Sequence, residues 1–350
     1  MKYGRLVFAT QINTYTTCNI GDYAQTFAID LIYKKMNIPS NQIINILIDD
    51  LSTYSGETVI LPINGFFLYR KNHPAFPTSP NIIPIFLGIY TSSSPYLKNQ
   101  SFWNKYSPIG CRDESTFITL KKYGYDAYLN GCMTMIYPKR DFTPSIHKVF
   151  FVDAYEKVLN FVPKEILENA EFITHDITVD SHNTSKEEII FKTEETSKKI
   201  YSRYYNEATL VVTSRLHCAA PCIAMGIPTI VVKNGFDDRF GWLDKYIKLY
   251  TPDEFSEINW NPEPIDIEST KELLLQNAIN MINQSPNTES ISSIHNFYMN
   301  RQRKKLSTPF MIKAFLWMGQ YFPHTAGFIR DHLLKSFTIV AHTQRNIHEK

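Results

Sequence analysis

The run Ala208-Thr-Leu-Val-Val-Thr-Ser-Arg-Leu-His-Cys-Ala-Ala-Pro-Cys-Ile-Ala-Met-Gly-Ile-Pro-Thr-Ile-Val-Val-Lys-Asn234 constrains this chain more than any other stretch. Leu210 to Val212 is short, apolar and rich in β-branched residues, the pattern of a strand buried on both faces. Leu216, Ala219, Ala220, Ile223 and Ala224 then recur at i, i+3, i+4, i+7 and i+8, one apolar helical face. Gly226 and Pro228 stop that helix, and Thr229 to Val232 is a second buried strand. A strand–helix–strand unit of this kind implies an α/β fold with a parallel sheet. Ser214, Arg215 and His217 fall at the turn from the first strand to the helix, and Lys233 follows the second strand. Ligands of open α/β sheets bind at the carboxyl ends of strands, so these side chains are expected at a binding edge.

The same alternation runs along the chain. Leu6 to Ala9 is a strand candidate, and Asn19-Ile-Gly-Asp-Tyr-Ala-Gln25 leads into a helix whose Ala24, Phe27, Ala28, Leu31, Ile32 and Met36 share a face. Asn19 and Asp22 have the spacing of a capping box, and Gly21 would let backbone approach a ligand closely. Ile43 to Ile48 is a strand; Ile60 to Leu68 contains Asn64-Gly65, a turn signal; Pro74 to Pro84 reads as loop and Ile82 to Ile89 as strand. Arg112 precedes a helix that Asp113 caps, which carries Phe117 and Leu120 and ends at Gly124, with Tyr125 to Leu129 as the next strand. The polar segment Pro138 to Pro144 is the best linker candidate. Beyond it, Lys148 to Val152 restarts the pattern. Phe172 to Thr174 is a strand ending in His175-Asp176, Asp237-Asp238-Arg239-Phe240 a polar loop, and Lys271 to Asn283 a helix. The expected organisation is one α/β unit over 1–143, a second over 144–290, and a helical tail over 291–350.

Composition narrows the function. With 43% hydrophobic and 20% charged residues over 350 positions, the chain reads as an ordinary globular protein long enough for two domains. A formal charge of +2 lacks the strong basic bias of a nucleic-acid binder. The five cysteines are scattered without a CxxC pair, so no zinc site or disulfide framework is expected; Cys218 and Cys222 read as small buried thiols of a core helix. The opening residues do not form a signal peptide and no apolar run spans a bilayer, which points to a reduced, cytoplasmic protein. After Ser292, basic residues such as Arg301, Lys304 and Lys313 stand among Phe310, Phe315 and Trp317. Such a tail fits an amphipathic helix packed back on the folded body, or a peripheral contact with an anionic membrane face.

Asn19-Ile-Gly-Asp-Tyr-Ala-Gln25, Cys111-Arg-Asp-Glu-Ser115 and Val212-Thr-Ser-Arg-Leu-His217 with Ala224-Met-Gly-Ile-Pro-Thr-Ile230 occur in the order and spacing of the polysaccharide pyruvyl transferase family, which this chain resembles from about Thr10 to Asn283. The resemblance implies two Rossmann-like domains facing across a cleft, as in GT-B glycosyltransferases. It also implies transfer of pyruvate from phosphoenolpyruvate to two hydroxyls of a sugar or lipid-linked oligosaccharide acceptor, as a ketal. Phosphoenolpyruvate is then the donor substrate, and neither metal nor cofactor is expected. Arg112, Arg215, His217 and Lys233 map onto the donor-binding set. Ser214, Asn19 and Gly21 are expected to line the substrate. Arg suits bidentate recognition of carboxylate and phosphate, Lys supplies a point charge, and a helix N-terminus adds backbone donors. His217 is expected to act as general acid or base and Asp22 to take a proton from the acceptor hydroxyl.

The chain departs from the family pattern at Cys218 and Pro221, where small helix-compatible residues are usual. Pro221 cannot donate to the carbonyl of His217, so the helix is expected to kink there or to begin near Pro221. Asn130-Gly-Cys-Met-Thr134 carries no acid at its strand exit and receives no catalytic role. Two other readings compete. One is a nucleotide-sugar glycosyltransferase of the same fold, with Asp253 or Glu254 holding the ribose; the other is a silent scaffold docked on a membrane through the tail.

Overall fold

The apolar runs form two parallel sheets and a short ribbon in a computed structural model that describes residues 1–9, 17–67, 74–91, 94–179 and 183–300. The first sheet contains β1 (Lys2–Val7), β3 (Ile43–Leu47), β4 (Val59–Phe66), β5 (Ile82–Tyr90), β6 (Ile109–Cys111) and β7 (Ala127–Leu129), in the order β3-β1-β4-β5-β6-β7. The second contains β8 (Lys148–Val152), β9 (Ala170–Ile173), β11 (Ala208–Thr213), β12 (Thr229–Val232) and β13 (Leu249–Tyr250), in the order β13-β12-β11-β8-β9. All pairings in both sheets are parallel. An antiparallel ribbon of β2 (Thr17–Asn19) and β10 (Asp176–Thr178) joins the loop after β1 to the loop after β9. The chain is therefore mixed α/β with parallel sheets, as its alternating pattern requires.

The helices are α1 (Tyr23–Lys35), α2 (Ser94–Leu97), α3 (Gln100–Lys105), α4 (Glu114–Lys122), α5 (Lys164–Glu168), α6 (Lys186–Glu207), α7 (Leu216–Ala224), α8 (Glu268–Ile282) and α9 (Thr288–Met299). Strand alternation divides the second sheet's side chains between two cores. Phe150, Val211 and Val231 join a large cluster that continues through Ala219 and Leu274 to Ile32, Leu61 and Trp103, whereas Phe151, Val212 and Val232 pack on Phe255. The strand order reverses between β1 and β4 in the first sheet and between β8 and β11 in the second. Crevices at such reversals are where α/β sheets bind ligands, so the loops leaving these strands are the ones to inspect.

The joining segment after Tyr137 has neither helix nor strand until Lys148. Arg140 ties it to the second sheet, its backbone N–H donating to Met225 O at 3.1 Å and Nη1 to Ala208 O at 2.7 Å. The chain then returns to the first sheet. Asn277 of α8 donates to Tyr128 Oη at 3.0 Å, and His295 of α9 accepts the Leu129 N–H at 3.1 Å. The expected tail boundary at 291 therefore falls inside α9, and its basic and aromatic residues 301–350 lie outside the described residues.

Three local expectations are corrected. Asn64-Gly65 is not a turn but part of β4, at a register shift against β5. The Asn64 side chain is buried, meeting the Met133 N–H and the Cys132 thiol, so its amide is satisfied without a turn. Asn19 and Asp22 do not form a capping box: Asn19 Oδ1 accepts the Gly21 N–H at 2.9 Å, and the Asn19 amide faces the Asp22 carboxylate at 3.4 Å. Finally, α7 begins at Leu216, with Pro221 inside it. The His217 carbonyl that Pro221 cannot serve accepts a hydrogen bond from Tyr201 Oη on α6 at 2.5 Å. At its far end α7 closes as a Schellman motif, Ile227 N–H to Cys222 O and Gly226 N–H to Ile223 O, with Gly226 at φ +71°.

Candidate active site

Arg112 continues β6 by donating its backbone N–H to Ile89 O at 2.8 Å, which sends its side chain off the strand end. The guanidinium is 1% exposed. Nη2 donates to Gln25 Oε1 at 2.5 Å and Nη1 faces His217 Nε2 at 3.4 Å, while buried Nε has no partner. No carboxylate lies within ion-pair distance of it among the described residues. Burying a cation with so little compensation is costly, and such sites are kept for an anion or for specificity. Asp113, next in the chain, is occupied as the N-cap of α4, accepting from Ser115 Oγ at 2.6 Å and the Thr116 N–H at 2.9 Å. Burial pushes its carboxyl up to about 6, against those donors and Arg112.

The second sheet supplies the rest. Ser214 Oγ donates to Asp153 O at 2.5 Å, so this hydroxyl locks the end of β11 to the end of β8. Arg215 places Nε 2.8 Å from Asp153 Oδ2 and Nη2 2.5 Å from Asp176 Oδ2. Asp153 also accepts the His175 N–H at 2.9 Å. Its φ of +45° puts a non-glycine residue in the left-handed region, a strain that functional sites concentrate. His175 is fully buried, with Nε2 at 2.9 Å from Tyr204 Oη and Nδ1 unpartnered. His217 lies one turn into α7. Burial drives its pKa well below the ordinary value, and Arg112, Arg239 and His175 lower it further, so the imidazole is neutral at pH 7. An arginine can only donate, so Nε2 is the acceptor facing Arg112 and the ring proton belongs on Nδ1. Lys233 follows β12. Burial, and then Arg239, push its amine down to about 8, Asp237 opposing them.

The glycine loop before α1 completes the crevice. A side chain at Gly21 would bring its Cβ to 3.0 Å from Asn19 Oδ1 and 3.2 Å from His217 Cβ, tighter than most such contacts, so glycine here allows the approach without displacing either neighbour. Ile20 N–H donates to His175 O at 2.8 Å, continuing the ribbon contact between the two loops. Thus Arg112, Arg215, His217, Lys233, Asn19 and Gly21 share one region, reached from both sheets. Asp22 borders it through Asn19, and its charge adds last to the upward push that burial gives the Tyr201 hydroxyl. Sequence reasoning missed Gln25, Asp153, Tyr201 and Arg239, and placed His175-Asp176 only at a strand end. The available signal was positional, since Asp153, His175 and Arg239 all follow strands of the second sheet. Glu254 sits elsewhere, closing a capping box on Thr251 beside β13. All five cysteines are buried and outside any disulfide, and the described residues contain no His, Cys, Asp and Glu cluster able to hold a metal ion.

A family model for polysaccharide pyruvyl transferase matches residues 19–235, more than half of the chain and all the crevice positions above except Asp237 and Arg239. The chain belongs to the polysaccharide pyruvyl transferase family. This pyruvyl transferase family member has no match among curated proteins. Among solved structures, it is 16% identical to an uncharacterized protein of Klebsiella pneumoniae, over 67% of this chain and 84% of that one, with a TM-score of 0.38. It is 11% identical to a Listeria monocytogenes protein described as a UDP-N-acetylglucosamine 2-epimerase, over 96% of each chain, with a TM-score of 0.36. Likeness this distant carries no weight for the pyruvyl transferase chemistry. No helix among the described residues is long and apolar enough to cross a membrane.

Proposed function

We propose that this chain transfers the pyruvyl unit of phosphoenolpyruvate to two hydroxyls of one sugar residue, forming a cyclic pyruvate ketal during surface glycan synthesis and releasing phosphate. One observation carries the reading. Buried or half-buried Arg112, Arg215, His217 and Lys233 converge on one crevice, and the Arg112 guanidinium has no carboxylate partner among the described residues. A small donor bearing both phosphate and carboxylate matches such a set, because each anionic end needs fixed cationic donors. On this reading, residues 144–290 hold most of the donor and residues 1–143 present the acceptor and reach the donor through Arg112, as two Rossmann-like units across a cleft in the GT-B manner. Phosphoenolpyruvate is itself the activated substrate, so the reaction draws on no separate cofactor, and such a donor places it in the cytoplasm.

A proton added to the methylene carbon gives an oxocarbenium-like centre at C2. One acceptor hydroxyl attacks C2, phosphate leaves, and the second hydroxyl closes the ketal. Of the two protons lost by the hydroxyls, one replaces that used to make the methyl group and the other leaves on phosphate. In the free protein His217 is neutral and suited to accept a proton, while Lys233, near 8, is charged at pH 7 and able to give one. A bound phosphate dianion would raise both. Asp22, at the edge of the crevice, is assigned to the acceptor hydroxyl. The test is phosphate release by purified protein given phosphoenolpyruvate and a galactose- or mannose-type acceptor. Release that needs both supports ketal transfer; sugar transfer from a nucleotide donor without phosphoenolpyruvate turnover overturns it.

A further inference from the structure

Arg239 lies beyond the span that matches the family, yet its surroundings are those of a prepared anion ligand. After Lys233 the chain passes Gly235, at φ +141°, and enters a single 3-10 turn, Asp238–Phe240. Phe236 and Phe240 are buried against each other, 5.2 Å between ring centres, and fix the loop on either side of Asp237. Asp237 is 1% exposed and accepts Nε and Nη2 of Arg239 at 2.7 Å each, and the Arg239 backbone N–H at 3.1 Å. Burial pushes this carboxyl up, but the Arg239 donors and charge outweigh it and hold it below the ordinary range.

The guanidinium then reaches across to the first sheet. It lies 5.3 Å from the ring centre of Phe66, at the end of β4, and Phe66 is stacked on Tyr90 at 4.9 Å. A planar cation gripped along one edge by a carboxylate and backed by an aromatic ring has little orientational freedom left to lose on binding. Asp237 engages two of the five guanidinium N–H groups, and the side chain remains 32% exposed, so donors remain for a ligand. Their charge is felt in the crevice, since Arg239 is among the groups acting on both His217 and Lys233.

We propose that Arg239 is a further substrate-anion ligand, binding the same phosphate- and carboxylate-bearing donor as Arg112 and Lys233, with Phe66 of the first sheet as the positioning residue that aims it. The inference rests on the donor reading above. The alternative role, neutralising Asp237 alone, predicts no effect on donor affinity.

The experiment titrates phosphoenolpyruvate calorimetrically into the full chain as wild type, Arg239→Gln, Arg239→Lys and Phe66→Leu, with steady-state phosphate release alongside. Arg239→Gln is expected to weaken binding at least about tenfold, as for loss of a charge-assisted hydrogen bond. Arg239→Lys keeps a cation beside Asp237 but loses the planar fork, and is expected to lose a smaller part of the affinity. Phe66→Leu is expected to raise KM with little change in kcat. In Arg239→Gln the pH above which donor affinity falls should also move upward, because Lys233 loses a neighbouring cation. If Arg239→Gln is recovered unfolded, Arg239→Lys and Phe66→Leu decide. Wild-type protein that takes up no phosphoenolpyruvate overturns the donor reading itself. Wild-type binding matched by every folded variant overturns the role of Arg239 and leaves the donor reading standing.

Discussion

Arg112 leaves the first sheet and Arg215 the second, and the two guanidiniums are held in unlike surroundings. Arg215 is braced by the carboxylates of Asp153 and Asp176, which anchor it before any ligand arrives. Arg112 has a glutamine, a neutral histidine and one buried N–H without a partner. Arg239 follows the pattern of Arg215, with Asp237 as its brace. The second sheet therefore offers arginines whose charge is already partly spent in holding their own geometry. The first offers one whose charge is almost wholly available. A braced arginine is expected to matter for stability as well as binding, an unbraced one chiefly for binding.

The largest effect should come from removing a brace's partner. Arg215→Met leaves buried Asp153 without its cation and is expected to cost about 3–5 kcal/mol in denaturant unfolding. Arg112→Met, which breaks no ion pair but leaves buried Gln25 Oε1 without its donor, should cost less, about 1–3 kcal/mol, while abolishing donor binding. Equal losses of stability in the two variants would erase the distinction between the sheets. Next in size is Tyr201→Phe, which strips the His217 carbonyl of its donor where Pro221 provides none. It should destabilise by about 1–3 kcal/mol, read by thermal melting. A neutral result would mean that water reaches this carbonyl.

The remaining effect is one of pH. The folded Lys233 amine titrates at about 8, lowered from 10.5, so between these values the unfolded chain binds more protons and stability rises with pH. Below about 8 the full cost of burying the charged amine is present. Lys233→Met should therefore be more stable than wild type at pH 7, and the gap should close towards pH 10. Donor affinity of the wild type should run the other way, falling as pH rises through 8. A gap that does not change with pH would remove Lys233 from the buried cation cluster.

The parts of this molecule that were legible in the sequence are those governed by local periodicity. The β11–α7–β12 unit could be read from an apolar run, an i, i+3, i+4 face and the Gly226 stop, and the motifs pointed to Arg112, Arg215, His217 and Lys233. What could not be read were relationships between segments distant in sequence. Asp153 and Asp176 become partners of Arg215 only when β8, β9 and β11 lie side by side, with φ of Asp153 bent to present its carboxylate. Asn64-Gly65 has turn chemistry by itself. It becomes strand because Gly88 on the neighbouring strand leaves room for the Asn64 amide: a Cβ at Gly88 would stand 2.6 Å from Asn64 Oδ1. Pro221 was legible as a defect in helix hydrogen bonding, but its remedy, a hydroxyl arriving from α6, was not. Arg239 was hidden for the same reason, because Phe66 lies in the other sheet.

The return of α9 to the first sheet has a practical corollary for anyone shortening this chain. Composition changes near Ser292, which invites a cut there, but Ile294, His295 and Tyr298 are downstream of it and belong to the folded body. Tyr298 shares a hydrogen bond with Tyr246 and lies directly over Gly131, where an added Cβ would collide with its ring. A deletion at 291 would uncover the β7 edge and the exit turn after it, and any loss of solubility would be misattributed to the basic residues beyond. The informative cut is after Asn300, whose carbonyl still accepts from Lys245 Nζ at 2.5 Å.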